Sequence, residues 1–243
     1  MSKKEKHRPT DDEPGHLFLW HPKAIVPRET MPTRGLYADG YPAGAIIHAT
    51  GGSSQKGLQD ALDAVQAGIS DEYTFLCISR DGKLVQAHSL NEWGYHAGQS
   101  YWPSLGKSLS SKLIGISLCG AGKVEPHRNG LYKNKNGIIV PQYEVRKVEG
   151  SYGCEPGYYH TFSIEQERAL WSLLVWLQAN DPHDRFKIEN IFGHHEVSGG
   201  PVFPRGGKTG PGGSLSLSME MFRNGLKFYS VEHLAEGFNG FEN

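Results

Sequence analysis

Apolar residues come in short, differently spaced groups along this chain. Gly44–Thr50 (GAIIHAT) is a brief apolar run bounded by glycine, the pattern of a buried strand, and it carries His48 near its end. In Lys56–Gly68 the residues Leu58, Ala61, Leu62 and Val65 recur at i, i+3, i+4 and i+7, which predicts an amphipathic helix stopped by Gly68. Tyr73–Ser79 and Lys83–Ala87 flank Arg80-Asp81-Gly82, a hairpin turn signal, and Leu113–Cys119 reads as a further strand. Residues 121–150 are basic and contain glycine and asparagine. Their alternating piece, Ile138–Val148, predicts an inserted hairpin on the rim. Ser163-Ile164-Glu165-Gln166 has the form of a capping box, and Leu170, Leu173, Leu174 and Leu177 mark the inward face of the helix it opens. Lys187–Gly193 predicts a strand ending at His194-His195. Glu196–Ser216, with seven glycines and three prolines, predicts a long irregular loop, and Ser218–Phe228 a closing helix.

Residues 1–15 are too polar to bury, and the proline-punctuated residues 16–43 read as an extended lead-in over the surface. Strands and helices then mix, with connections long enough for crossovers. This predicts an α/β fold: a mixed central sheet with helices packed on its faces. The expected division is a polar tail and lead-in over 1–30, one domain over 31–230, and a C-terminal tail over 231–243.

Composition narrows the function classes. Hydrophobic residues make up 37% and charged ones 21%, which excludes overall disorder. Lys+Arg 25 against Asp+Glu 26 gives a net charge of −1, so there is no global field for nucleic acid. No stretch is long and apolar enough to insert in a membrane. The first residues lack the apolar core of a signal peptide, and three cysteines (Cys77, Cys119, Cys154) make no disulfide framework; both features predict synthesis in the cytoplasm. A zinc-finger or nucleotide-phosphate reading is unsupported, since there is neither HExxH nor CxxC nor a Walker loop.

Candidate chemistry sits where strands end. His48 and His194 leave two predicted strands, the placement from which a cleft assembles ligands out of separate segments. Trp93-Gly94-Tyr95-His96-Ala97-Gly98 sets an imidazole among aromatics and glycines, suited to lining a pocket for a polar, sugar-like ligand. Lys208, in Lys208-Thr209-Gly210-Pro211-Gly212, stands within the glycine-rich loop, where an ammonium stabilises a developing oxyanion. The basic rim (Lys123, His127, Arg128, Lys133, Lys135, Arg146, Lys147) is a possible surface for an acidic partner, although Glu125, Glu144 and Glu149 dilute it.

The order GAIIHAT, YTFLCISRDGKLVQ, EWGYHAG, LIGISLCGAG, FGHHEV, KTGPGGSL resembles the type-2 N-acetylmuramoyl-L-alanine amidases, over about Gly35 to Phe228. That family shares its fold with animal peptidoglycan recognition proteins and amidase-type phage lysozymes. The resemblance implies peptidoglycan or a muropeptide as ligand, and one zinc that polarises the lactyl amide carbonyl and activates water. By position it makes His48 and His194 two metal ligands and Lys208 the catalytic lysine. His96 and Trp93 match the substrate-lining element. The departures are specific. Gly210 stands where the family has its Asp or Cys ligand, Ser117 where many relatives have an acid–base Glu, and Thr74 where others place Tyr; Ser117 and Thr74 are therefore counted with the substrate-lining positions. Two readings follow. In one the cleft recognises muropeptide with zinc hydrolysis weakened or lost. In the other a zinc amidase remains active, its third ligand drawn from His195, Glu196, His160 or Cys154.

Overall fold

The computed structural model describes residues 19–150, 154–199 and 208–235. Along the chain come β1 (Ala45–Ala49), α1 (Leu58–Ser70), β2 (Leu76–Ile78), β3 (Leu84–Val85) and β4 (Ile114–Leu118). A group of strands follows: β5 (Lys123–Pro126), β6 (Leu131–Lys133), β7 (Ile139–Pro141), β8 (Val145–Val148) and β9 (Gly157–His160). Then come α2 (Ile164–Ala179), β10 (Ile191–Gly193), the one-turn α3 (His194–Val197) and α4 (Met219–Ala235).

The central sheet runs in the order β10-β1-β4-β2-β3, parallel except for the β2–β3 hairpin at its edge. Its middle strands are covered on both faces, which is why β1 and β4 read as continuous apolar runs. Alternation divides their side chains. Ala45, Ile47, Ile114, Ile116 and Leu118, with Leu76 and Ile78, meet Leu170, Leu173, Leu174 and Leu177 of α2 and Phe222 and Leu226 of α4. On the opposite face, Cys77, Val85 and Cys119 meet Ala61 and Val65 of α1. Beside α1 on that face, Ile46 and Phe192 meet Ala97, Leu109, Leu113 and Val197, and the histidines gather at this second patch. The mixed α/β sheet with helices on both faces is therefore the architecture present. Among the described residues, no helix is long and apolar enough to cross a membrane.

Several local expectations change in detail. Helix α1 passes through Gly68 and ends at Ser70. A Cβ at Gly68 would lie 2.5 Å from Met31 Cε, so this glycine serves close packing. Strand β10 has only three residues, because Ile188–Asn190 forms a 3-10 turn. The predicted hairpin over Ile138–Val148 is replaced by something larger. A five-stranded antiparallel sheet, β7-β6-β5-β9-β8, occupies 123–160, and a 3-10 turn at Gln142–Glu144 sends β7 and β8 to opposite edges of it. Pro141, which has no N–H for a ladder, ends β7 at that point. The capping box forms as read: Ser163 Oγ accepts from Gln166 N–H and Gln166 Oε1 accepts from Ser163 N–H, both at 3.1 Å.

The lead-in packs against the sheet edge. Ile25 bridges to Val85, Met31 N–H donates to Ala87 O at 2.8 Å, and Gly35–Leu36 pairs with Glu92–Trp93. At the other end, α4 continues through Ala235. Residues 1–18 and 236–243, and with them most of both expected tails, lie outside the described residues.

Candidate functional site

Parallel pairing of β1 with β4 sets His48 beside Ser117, both buried and on one face of the sheet. Where β10 ends, the chain turns at once into α3. His194 is the first residue of that turn, and its ring lies 4.4 Å from the His48 ring, centroid to centroid. The loop after Trp93 delivers a third imidazole, His96, with its centroid 5.3 Å from that of His48. Three residues from distant parts of the sequence thus share one pocket. All three are about nine-tenths buried.

Burial decides their charge. Desolvation, reinforced by neighbouring imidazoles, pushes His96 down to about 3. His194 falls to about 4, chiefly by burial, with the Lys208 ammonium adding to it. His48 falls well below its ordinary value for the same reasons, and Lys208 acts on it too. The cluster is neutral at physiological pH, with the exposed Lys208 ammonium near enough to be felt by two of its rings.

The ring nitrogens are unequally used. His48 Nε2 lies 3.1 Å from His96 Nδ1, His96 Nε2 lies 2.9 Å from the Leu113 carbonyl, and His194 Nε2 lies 3.0 Å from the Ala97 carbonyl. Both nitrogens of His96 are thereby engaged. Trp93 belongs to the short ladder with Gly35, its ring edge-on to Tyr95 at 5.9 Å. The Thr74 hydroxyl donates to the Pro32 carbonyl, and its N–H donates to Tyr95 O at 2.8 Å. These two positions therefore fasten the lead-in to the 92–96 loop.

Gly210 abuts the strand that carries His48: a Cβ there would sit 3.2 Å from the backbone nitrogen of Ala49. Its backbone is not left-handed, unlike that of Gly212 two residues on (φ +47°), so conformation does not require glycine at 210. All four alternative ligands have other partners, the Cys154 thiol donating to the Glu155 carbonyl at 3.6 Å. His195 Nδ1 lies 3.2 Å from Gly210 O, and Glu196 takes both guanidinium nitrogens of Arg223. His160 sits between Ala121 N–H and Glu144. The Cys154 thiol lies 3.4 Å from where a Gly212 Cβ would be. Among the described residues no group of three or more His, Cys, Asp or Glu side chains could hold a metal ion. The described residues at the cleft offer two imidazoles, His48 and His194, one short of the three protein ligands of the zinc that the resemblance implies.

The second sheet grips the glycine-rich loop. Tyr159 of β9 lies beneath Gly212 and Gly213, where a Cβ would come within 2.7 and 2.4 Å of neighbouring side chains. Arg146 of β8 donates to the carbonyls of Gly213, Leu215 and Ser216. Near β1, Asn134 and Asn136 both donate to Gly51 O, at 2.9 and 3.1 Å. Of the basic rim, Arg146 is spent on this loop, and Lys123 and Lys147 pair with Glu155 and Glu149. Ser110, Arg146, Tyr159 and the two carbonyls were not legible as site residues. Gly115 had a signal, glycine inside a strand: a Cβ there would lie 2.8 Å from His96 Cγ.

A parallel-centred sheet with a histidine-lined cleft at its strand ends defines the class, and comparison supplies the family. The model of the N-acetylmuramoyl-L-alanine amidase family (Amidase_2) matches residues 38–213, and the chain belongs to that family. Among solved structures, AmpDh3 from Pseudomonas aeruginosa, in complex with an anhydromuramic pentapeptide, is similar at TM-score 0.50 and 14% identity, over 88% of this chain and 72% of that one. A selenomethionine derivative of AmpD is similar at TM-score 0.48 and 18% identity, over 84% and 95%. The endolysin amidase LysCS from Clostridium intestinale URNW is similar at TM-score 0.48 and 15% identity, over 85% and 96%. No curated protein matches by sequence.

Proposed function

We propose that this chain recognises muropeptide on the amidase fold and no longer hydrolyses it. The observation that carries the reading is position 210. A residue without a side chain stands against Ala49, the neighbour of His48, where a Cβ would lie 3.2 Å from the Ala49 backbone nitrogen although the backbone conformation is not left-handed. The alternative ligands His195, Glu196 and His160 are held by other groups. Ser117, beside His48, offers a hydroxyl where the resemblance implies an acid–base Glu. A serine hydroxyl is a poor general base near neutral pH.

The cleft that remains suits a polar peptide. Lys208 supplies a cation for a stem-peptide carboxylate, and the neutral imidazoles of His48 and His194 supply acceptors for amide N–H groups. Support for the ligand class comes from the similar AmpDh3 structure, whose occupant is an anhydromuramic pentapeptide. A protein of net charge −1 with three of its rim cations engaged internally favours this ligand over nucleic acid.

Metal content after zinc loading and desalting, together with release of stem peptide from purified sacculi, tests the reading. The expected result is muramyl dipeptide binding by calorimetry with substoichiometric zinc and no release. Gly210→Asp or Gly210→Cys should then take up zinc. Stoichiometric zinc in the wild type, with stem-peptide release abolished by His48→Ala, would replace this reading with an active zinc amidase.

A further inference from the structure

We infer that Cys77 and Cys119 are a modification site, a buried dithiol that a low-molecular-weight disulfide oxidises to a cross-strand bridge, and that this closure is felt at Ser117 beside His48. The inference does not rest on the function proposed above.

Strand alternation builds the pair. Cys77 lies in the middle of β2, directly opposite Ser117 of β4, and Cys119 follows Ser117 by two residues. A period of two turns both thiols to one face of the sheet, and their Sγ atoms lie 3.8 Å apart. A disulfide bond needs about 2.05 Å. The backbone under the thiols is pinned. Cys119 N–H donates to Ile78 O at 2.9 Å, and the side-chain amide of Gln166, from α2, donates to Ile78 O and Cys119 O at 3.3 and 2.9 Å. Side-chain rotation with a small approach of the two strands therefore closes the gap. Cys154 stands apart, its thiol on the Glu155 carbonyl.

Both sulfurs are fully buried beneath Ala61 and Val65 of α1. Helix α1 starts at Leu58 with no side-chain cap at Gly57, so opening of this helix is the route by which an oxidant reaches them. One thiol then loses its proton and attacks the small disulfide, expelling one thiolate. The second cysteine attacks the mixed disulfide and expels the other. The two cysteine protons leave on the two released thiols, and two electrons pass from the protein to the oxidant. Cys77, Ser117 and His48 form one row across β2, β4 and β1. Drawing the end of β4 toward β2 moves Ser117 relative to His48.

The test treats the whole protein with oxidised glutathione at neutral pH, in graded urea below the unfolding midpoint. The protein is then unfolded in iodoacetamide, digested and mapped by mass spectrometry. The expected product is a linked peptide pair containing Cys77 and Cys119, two hydrogens lighter than its separate halves. It should form roughly tenfold faster near the midpoint than without urea, since opening of α1 limits the rate. The oxidised protein should unfold at higher urea, reversibly with dithiothreitol, and its Ser117 and His48 amide signals should shift. Alkylation of both Cys77 and Cys119 after Cys154 has taken up glutathione overturns the inference. So does a bridge that includes Cys154, or lasting glutathione adducts on both buried cysteines. A linked pair that leaves the Ser117 and His48 amides unmoved overturns the coupling to the cleft.

Discussion

Arg146 Nε donates to the Gly213 carbonyl at 3.2 Å, tying the second sheet to the loop that carries Lys208 and Gly210. The same guanidinium also reaches the carbonyls of Leu215 and Ser216. A planar fork suits several acceptors at once, and an ammonium does not. Arg146→Ala should destabilise the protein by roughly 2–3 kcal/mol, the range for hydrogen bonds from a charged group. Urea unfolding measures this, and amide exchange should quicken across 211–216. Arg146→Lys should recover less than half.

Glu196 and Arg223 form a two-point ion pair at 2.9 and 3.0 Å, the carboxylate only 10% exposed. Glu196 also accepts from Gly193 N–H at 2.8 Å, so the pair joins α4 to the turn that begins at His194. Glu196→Ala strands a largely buried guanidinium and should cost about 3–5 kcal/mol. Adding Arg223→Met should return part of that loss. Equal stability of the single and double variants would show that the charge is not what matters.

Gly115→Ala places a methyl group 2.8 Å from His96 Cγ. Overpacking of this kind costs about 1–3 kcal/mol, and the His96 ring must shift along with it. Gly137 is the control. It has open space but a φ of +86°, so Gly137→Ala should cost roughly 1 kcal/mol of backbone strain and leave the histidines unaffected. Thermal denaturation with the spectrum of the carbon-bound histidine ring protons separates the two.

Stability should fall on acidification below about pH 6.5. Burial, aided by Lys23, lowers His21 to about 4, and burial with the Arg80 charge lowers His160 against the pull of Glu144. Both bind protons more weakly folded than unfolded. Their contribution is therefore complete above the unfolded value near 6.5 and is lost as pH falls toward the folded one. Urea midpoints should hold between pH 7.5 and about pH 6.5 and decline from there to pH 4. His21→Phe, which keeps a ring against Trp176, should shallow the slope. A midpoint that rises between pH 6.5 and pH 5 contradicts the assignment.

Much of the framework was legible because it is local or periodic. Helix α2 follows from four leucines and a box of four residues, and β1 and β4 follow from apolar runs flanked by glycine. Where reading failed, a distant contact had decided. Gly68 is a helix stop only until Met31 is known to lie against it. The alternation over Ile138–Val148 gives the right strands but cannot reveal that β6, β5 and β9 lie between them.

The same division runs through the site. Strand-end placement picked out His48 and His194 from the chain alone, and the order of motifs led to Gly210 as the odd residue in the loop. The sequence by itself determined the α/β class through residue type and spacing, it singled out the two strand-end imidazoles as candidates, and the family resemblance implied the missing side chain at Gly210. Tertiary structure decided that His96 turns toward His48 and that Arg146 serves the loop. Hydrogen-bond direction depends on carbonyls, which every residue carries, and only the folded backbone selects the few that matter.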